Sequence, residues 1–185
     1  MLSSVAPGLP PLRLRHSAGV ARRAAAASAV LLPPNDADVV RAAAWLHDIG
    51  YSHDVVDSGC HAIDGARHLR QLGSLDGLVS LVAYHSGAEF EATERGLREE
   101  LRELRRPPEE LLDVLTFADM TADEKGHQTT VEHRLEGILD RYAADDPVHV
   151  SVEGAKARLV AAVRRVQREL TAKVGGRHGV VSGGA

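Results

Sequence analysis

The strongest constraint on this chain is a helical period that keeps stopping and starting again. Apolar residues recur at i, i+3, i+4 and i+7 along several stretches, and proline or glycine interrupts each one. Leu12, His16, Gly19, Val20, Ala24, Ala27 and Leu31 keep this spacing over 12–32, until Pro33-Pro34 breaks it. Asn35 and Asp36 are candidate caps for a second helix, with the stripe Val40, Ala43, Ala44 and His47 and a stop at Gly50. Asp57 or Ser58 is a candidate cap for a third, reaching about Leu72 with His61, Gly65 and His68 on one face. A fourth is expected to open at Asp76 and to carry Leu78, Leu81, Val82 and His85 before Ser86-Gly87. Beyond Pro107-Pro108 a fifth stripe holds Leu112, Leu115 and Asp119, and two further helices are expected over 131–142 and 152–174. The charged stretch 89–106 reads as a solvated helix or a lid.

These stripes are built from alanine, leucine and valine, with aromatics only 3% of the chain, so helices must approach closely to close a core. The expectation is an all-α fold, one compact helical bundle, and 185 residues suit a single domain. An irregular N-terminus is expected over 1–9, the helical domain over 10–174 and a disordered glycine-rich tail over 175–185.

A net charge of -4 with both signs interspersed gives no electrostatic reason to bind nucleic acid or an anionic membrane, which leaves a small soluble partner. Cys60 is the only cysteine and cannot form an internal disulfide. The first residues lack an apolar run followed by a small-residue cleavage site, so a cytoplasmic chain is expected. Oligomeric state stays open.

One histidine on an apolar stripe is ordinarily a hydrogen-bonded core residue. Here four helices each bring one to the inner face, His16, His47, His61 and His85, a fifth brings Asp119, and Asp48 stands beside His47. Unpaired buried polar groups cost about 1–3 kcal/mol each, and a divalent cation relieves several at once. Imidazole and carboxylate are ligand types for iron, manganese, zinc, cobalt or magnesium, so one or two divalent ions are expected between the central helices. His53-Asp54 is a second His-Asp pair, but it follows the helix-ending Gly50 in a loop and is given a surface role. His127, His133, His149 and His178 lie in polar surroundings, and Trp45 and Tyr84 read as core.

The order His16, His47-Asp48 within His-Asp-Ile-Gly, His61, His85 and Asp119 resembles the HD superfamily of metal-dependent phosphohydrolases. The words RHSAGVA, WLHDIGYS, AYHSG and FADM are similar to the branch that includes bacterial dinucleoside tetraphosphate hydrolases, over roughly residues 12–142. The resemblance implies that His16, His47, Asp48 and Asp119 hold a first ion. His61 and His85 would complete a second site, with Asp48 shared so that the ions activate a water for in-line attack on phosphorus. His47 and Asp48 are thus candidate catalytic residues, joined by His68 on the face of His61 as a supporting or substrate-contacting group. Arg13, Arg15, Arg67 and Lys125 are candidates for binding the phosphate. The implied activity is cleavage of a phosphoester or phosphoanhydride in a nucleotide or another small phosphorylated metabolite. The same ligand order is also similar to diiron oxygenases of the superfamily, and a non-catalytic nucleotide-sensing module is a third alternative.

Overall fold

A computed structural model describes residues 8–178, and the fold is all-α. Helix α1 (Pro11–Leu31) and helix α2 (Pro34–Leu46) each begin with proline at the first helical position, where a missing N–H costs nothing. Proline, not Asn35 or Asp36, therefore starts α2, and Asp36 sits in its first turn, where its charge suits the positive helix end. A 3-10 turn, Ile49–Tyr51, follows.

Helix α3 (His61–Gln71) starts later than the cap expected at Asp57 or Ser58. Those two residues instead give their backbone N–H groups to the buried carboxylate of Asp64, so the loop is pinned back onto the helix it precedes. His61 is thereby the first residue of a helix, not a mid-helix one. Helix α4 (Asp76–Tyr84) runs into a 3-10 turn, His85–Gly87, in which Ser86 and Gly87 both take positive φ, +48° and +80°. Tyr84 is core, as expected, and its hydroxyl donates to the Leu101 and Leu104 carbonyls.

The charged stretch is more than a solvated face. It folds as α5 (Ala88–Glu94) and α6 (Arg98–Arg102), with Leu101, Leu104 and the carboxylate residue Glu91 buried. Helix α7 (Glu109–Met120) is buried along most of its length and α8 (Val131–Leu139) follows. Helix α9 (Pro147–His178) begins five residues before the expected Val152 and continues through the first residues of the expected disordered tail. The remainder of that tail, and most of the expected irregular N-terminus, lie outside the described residues. Helix α1 packs on α2 and α7, α3 packs on α4, and α9 lies across α7, α5 and α8. Among the described residues there is no strand, only one antiparallel bridge between Ala122 and Gln128. Among the described residues no helix is long and apolar enough to cross a membrane.

Two glycine contacts set how closely elements approach. A Cβ on Gly19 of α1 would lie 2.4 Å from the Gly126 Cα, so the turn after α7 can rest directly on α1. A Cβ on Gly50 would lie 1.9 Å from the His61 carbonyl oxygen, so this glycine lets the start of α3 close on the end of α2. Both contacts are between backbones, and any side chain would separate the elements.

Candidate metal centre

The stripe ends converge. His16 from α1, His47 at the end of α2 and Asp119 from α7 form one buried group, and His47, Asp48 and His85 form another, with potential ligand atoms all within 4.8 Å of one another in each. His61 joins through its Nε2, 3.1 Å from His85 Nε2 and 3.7 Å from Asp48 Oδ1. His47 Nε2 lies 3.6 Å from Asp48 Oδ1 and 4.0 Å from Asp119 Oδ1.

Main-chain carbonyls orient three of the imidazoles. His16 Nδ1 donates to the Asp123 carbonyl at 2.8 Å, His47 Nδ1 to Ala44 at 2.9 Å and His85 Nδ1 to Val82 at 2.7 Å. A carbonyl only accepts, so each Nδ1 carries its proton and each Nε2 lone pair faces the centre. Gly19 and Gly126 explain how Asp123 reaches His16, because the turn that carries it lies on α1 without a side chain between. The centre is chemically unfinished without a cation. His47 Nε2 is buried with no hydrogen-bond partner. His16 Nε2 lies 2.9 Å from Asp119 Oδ1 and 3.2 Å from Arg134 Nη2, so the first group is an imidazole and a carboxylate held together beside a buried guanidinium. A nitrogen and carboxylate set of this kind suits a divalent first-row ion.

Burial holds the His47 pKa down at about 4, against the pull of the Asp48 and Asp119 carboxylates, so the ring is neutral and able to ligate near pH 7. Burial and the neighbouring His85 likewise carry His61 well below the ordinary imidazole range. For Asp48 burial favours protonation, but His47, Arg13 and His61 outweigh it and the carboxyl stays ionised. Asp119 is held below the usual carboxylate range in the same contest, chiefly by His16 and His47. Arg13 bonds Asp48 Oδ2 at 3.1 Å, and Ser86 donates to Asp119 Oδ2. The positive φ of Ser86 is strain kept where a side chain touches a candidate ligand.

A cavity opens over this cluster, lined by the candidate ligands other than His47 and by Arg13, Tyr51, Glu91, Arg134, Arg141 and Tyr142, with an apolar wall that includes Met120, Ile138, Val152 and Leu159. Four of the five substrate and support residues expected from sequence, Arg15, Arg67, His68 and Lys125, lie away from this cavity. Arg15 is exposed, one residue and therefore about 100° around the helix from His16. Arg67 pairs with Asp57 and Glu100, and Lys125 is exposed in the turn after α7. His68, two turns or about 10 Å along α3 from His61, lines a separate cleft with Asp57, Asp64 and Arg67. Of the candidate phosphate contacts, Arg13 alone reaches the cavity. His53-Asp54 is an exposed pair, as its loop position implied.

Sequence reasoning passed over Arg134, Glu91 and Tyr51. Arg134 shares the stripe Val131, Leu135, Ile138, and Glu91 shares Ala88 and Ala92, so a charged residue in an apolar stripe was the available signal. Tyr51 stacks on His61, with centroids 4.2 Å apart and planes at 16°, and Arg13 lies 3.8 Å over its other face.

The HD domain family matches residues 13–145, well over half of the chain. The chain belongs to the HD domain family. Every residue of the HD-type ligand order lies inside that match, and α9 lies beyond it. Metal binding by HD domains accords with the buried His and Asp groups, and the identity of the ion is open. No curated protein and no solved structure gives a significant match.

Proposed function

We propose that this HD domain protein is a metal-dependent phosphohydrolase that cleaves a phosphoester or phosphoanhydride in a nucleotide or another small phosphorylated metabolite. The observation that carries the reading is the unpartnered, buried His47 Nε2 among ionised Asp48 and Asp119, beneath a cavity lined by arginines. His16, His47, Asp48 and Asp119 would hold one divalent cation, and His61 and His85 with Asp48 a second. Such ions lower the pKa of water and neutralise charge on a transferring phosphoryl group.

The chain's own residues supply orientation and water exclusion. Carbonyls of Asp123, Ala44 and Val82 hold three imidazoles in the ligating tautomer, Arg13 restrains Asp48, and Ser86 restrains Asp119. The apolar wall from α7, α8 and α9 gives an organic leaving group a dry surface. The guanidiniums favour an anionic substrate over a neutral one, which supports phosphoryl chemistry over oxidation of a carbon bond.

Phosphate release from a panel of nucleotides and phosphoesters, with manganese, iron, cobalt, zinc or magnesium, tests the reading. Turnover with at least one ion, unchanged when oxygen is removed, is expected. Absence of turnover with every ion in a folded protein overturns it, and tight nucleotide binding without turnover then favours a sensing module. A small soluble substrate and a cytoplasmic setting belong to the same proposal.

A further inference from the structure

Arg13, Arg134 and Arg141 border the cavity with Asp48, Glu91 and Asp119, but Glu91 is engaged by Arg95 from outside the lining, which leaves one guanidinium over. Arg13 is matched by Asp48 at 3.1 Å, and Glu91 by Arg95 at 2.8 Å. Arg134 is different. Its side chain is 6% exposed, its Nη2 lies 3.2 Å from His16 Nε2 and 3.6 Å from Asp119 Oδ1, and its Nε is buried with no hydrogen-bond partner. Arg141 lines the same cavity, gives its Nε to the Gly137 carbonyl at 2.8 Å and forms no ion pair among the described residues. Burial and the Arg134 and Arg13 guanidiniums all disfavour its charge. Arg134, Ile138 and Arg141 follow at i, i+4 and i+7, so they share one face of α8 and the turn after it, and all three border the cavity. Arg134 is buried and Arg141 exposed, so the pair runs from the inner wall towards solvent.

A buried guanidinium with an idle N–H costs free energy unless a ligand completes it. Asp119 does not settle the balance, since a cation at the neighbouring ligands must share it. Adding one or two divalent ions makes the surplus of positive charge larger.

We propose that Arg134 and Arg141 form an oxyanion subsite that grips a second anionic group of the ligand, phosphoryl or carboxylate, apart from the phosphoryl group at the metal ligands. It rests on the phosphohydrolase reading and narrows it to substrates that carry two anionic groups. Guanidiniums suit this task because their planar forks bond two oxygens of one group.

The test is calorimetric titration of the metal-loaded full chain with inorganic phosphate, inorganic pyrophosphate and phosphonoacetate, with metal content measured before and after. Wild type is expected to bind one or both two-group probes at least about 10-fold more tightly than phosphate, a magnitude of about 1.4 kcal/mol. Pyrophosphate preference identifies phosphoryl as the second group and phosphonoacetate preference identifies carboxylate. Arg141→Ala should remove most of that advantage while phosphate affinity changes less than about 3-fold, and Arg141→Lys should restore part of it. Arg134→Lys is the companion variant and should weaken the two-group probes with metal content unchanged. Equal affinity of wild type and Arg141→Ala for both two-group probes overturns the subsite and leaves the phosphohydrolase reading standing. Failure of metal-loaded wild type to bind any of the three anions overturns both.

Discussion

The two halves of the candidate metal centre are built differently. His16 and His47 are each held by a carbonyl at Nδ1 and are almost completely buried, so their positions follow from the backbone of α1, α2 and the turn after α7. In the other half His85 has its carbonyl, but the His61 side chain is 15% exposed and its buried Nδ1 has no hydrogen-bond partner. His61 is placed by stacking on Tyr51 and by Glu91, whose Oε2 lies 3.6 Å from Nδ1. One half is fixed by directional bonds and the other by packing. The packed half is the one expected to lose its ion first.

The largest expected effect comes from the residue that touches both halves. Asp48→Asn should lower activity on the order of 10³-fold or more and bring metal content by elemental analysis close to zero. Retention of one equivalent would assign Asp48 to a single half and break the comparison.

Next are the glycines that seat each half. Gly19→Ala and Gly50→Ala each drive a methyl into backbone, at 2.4 Å and 1.9 Å, and should each cost roughly 3 kcal/mol in denaturant unfolding. Gly50→Ala displaces the start of α3, so it should also reduce binding of the second ion, whereas Gly19→Ala should act on His16 and the first.

Acid should reveal the rigid half in metal-stripped protein. The His47 pKa is lowered to about 4 from an unfolded value near 6.5, so the unfolded chain binds the extra proton first. Stability is therefore complete above about pH 6.5 and falls as pH drops towards 4, by roughly 3 kcal/mol from this ring alone. The buried carboxylates of Asp48 and Asp119, whose pKa values are depressed, withdraw their contribution only at lower pH. Thermal unfolding from pH 8 to 2 checks the order, and a stability that does not change between pH 8 and 4 would sink it.

The packed half gives smaller effects. His61→Ala should lower activity about 10- to 100-fold and remove one equivalent of metal, leaving the other. Glu91→Gln should weaken the second ion only about 3- to 10-fold, since the amide keeps its volume near His61 but loses the charge. A change in the first ion with either variant would mean that the halves are coupled.

Much of this was legible in the sequence. Short aliphatic residues at helical period specify closely packed helices, and a polar residue at the inner end of each stripe is placed inward by the same phase that buries its neighbours. The phase argument placed His16 and Asp119 on α1 and α7, and His47 and His85 immediately after the last residues of α2 and α4. Arg15, chosen as a neighbour of His16, is turned about 100° away on the helix, and His68, chosen because it shares the face of His61, lies two turns further along the axis. The start of α3 was missed because Asp57 and Ser58 look like caps, while their N–H groups serve Asp64 from outside the helix. The role of Gly50 required the structure, since nothing local shows that another helix will press on it.

Helix α9 has a consequence of its own. The HD match ends at residue 145, yet Val148, Ser151, Val152 and Leu159 of α9 wall the cavity above the ligands. Floor and roof are thus encoded in separate stretches of chain. On the proposed phosphohydrolase reading, a change in the roof would retune which organic group is admitted while the inorganic chemistry below it goes on unaltered, as a lock is rekeyed without replacing the bolt.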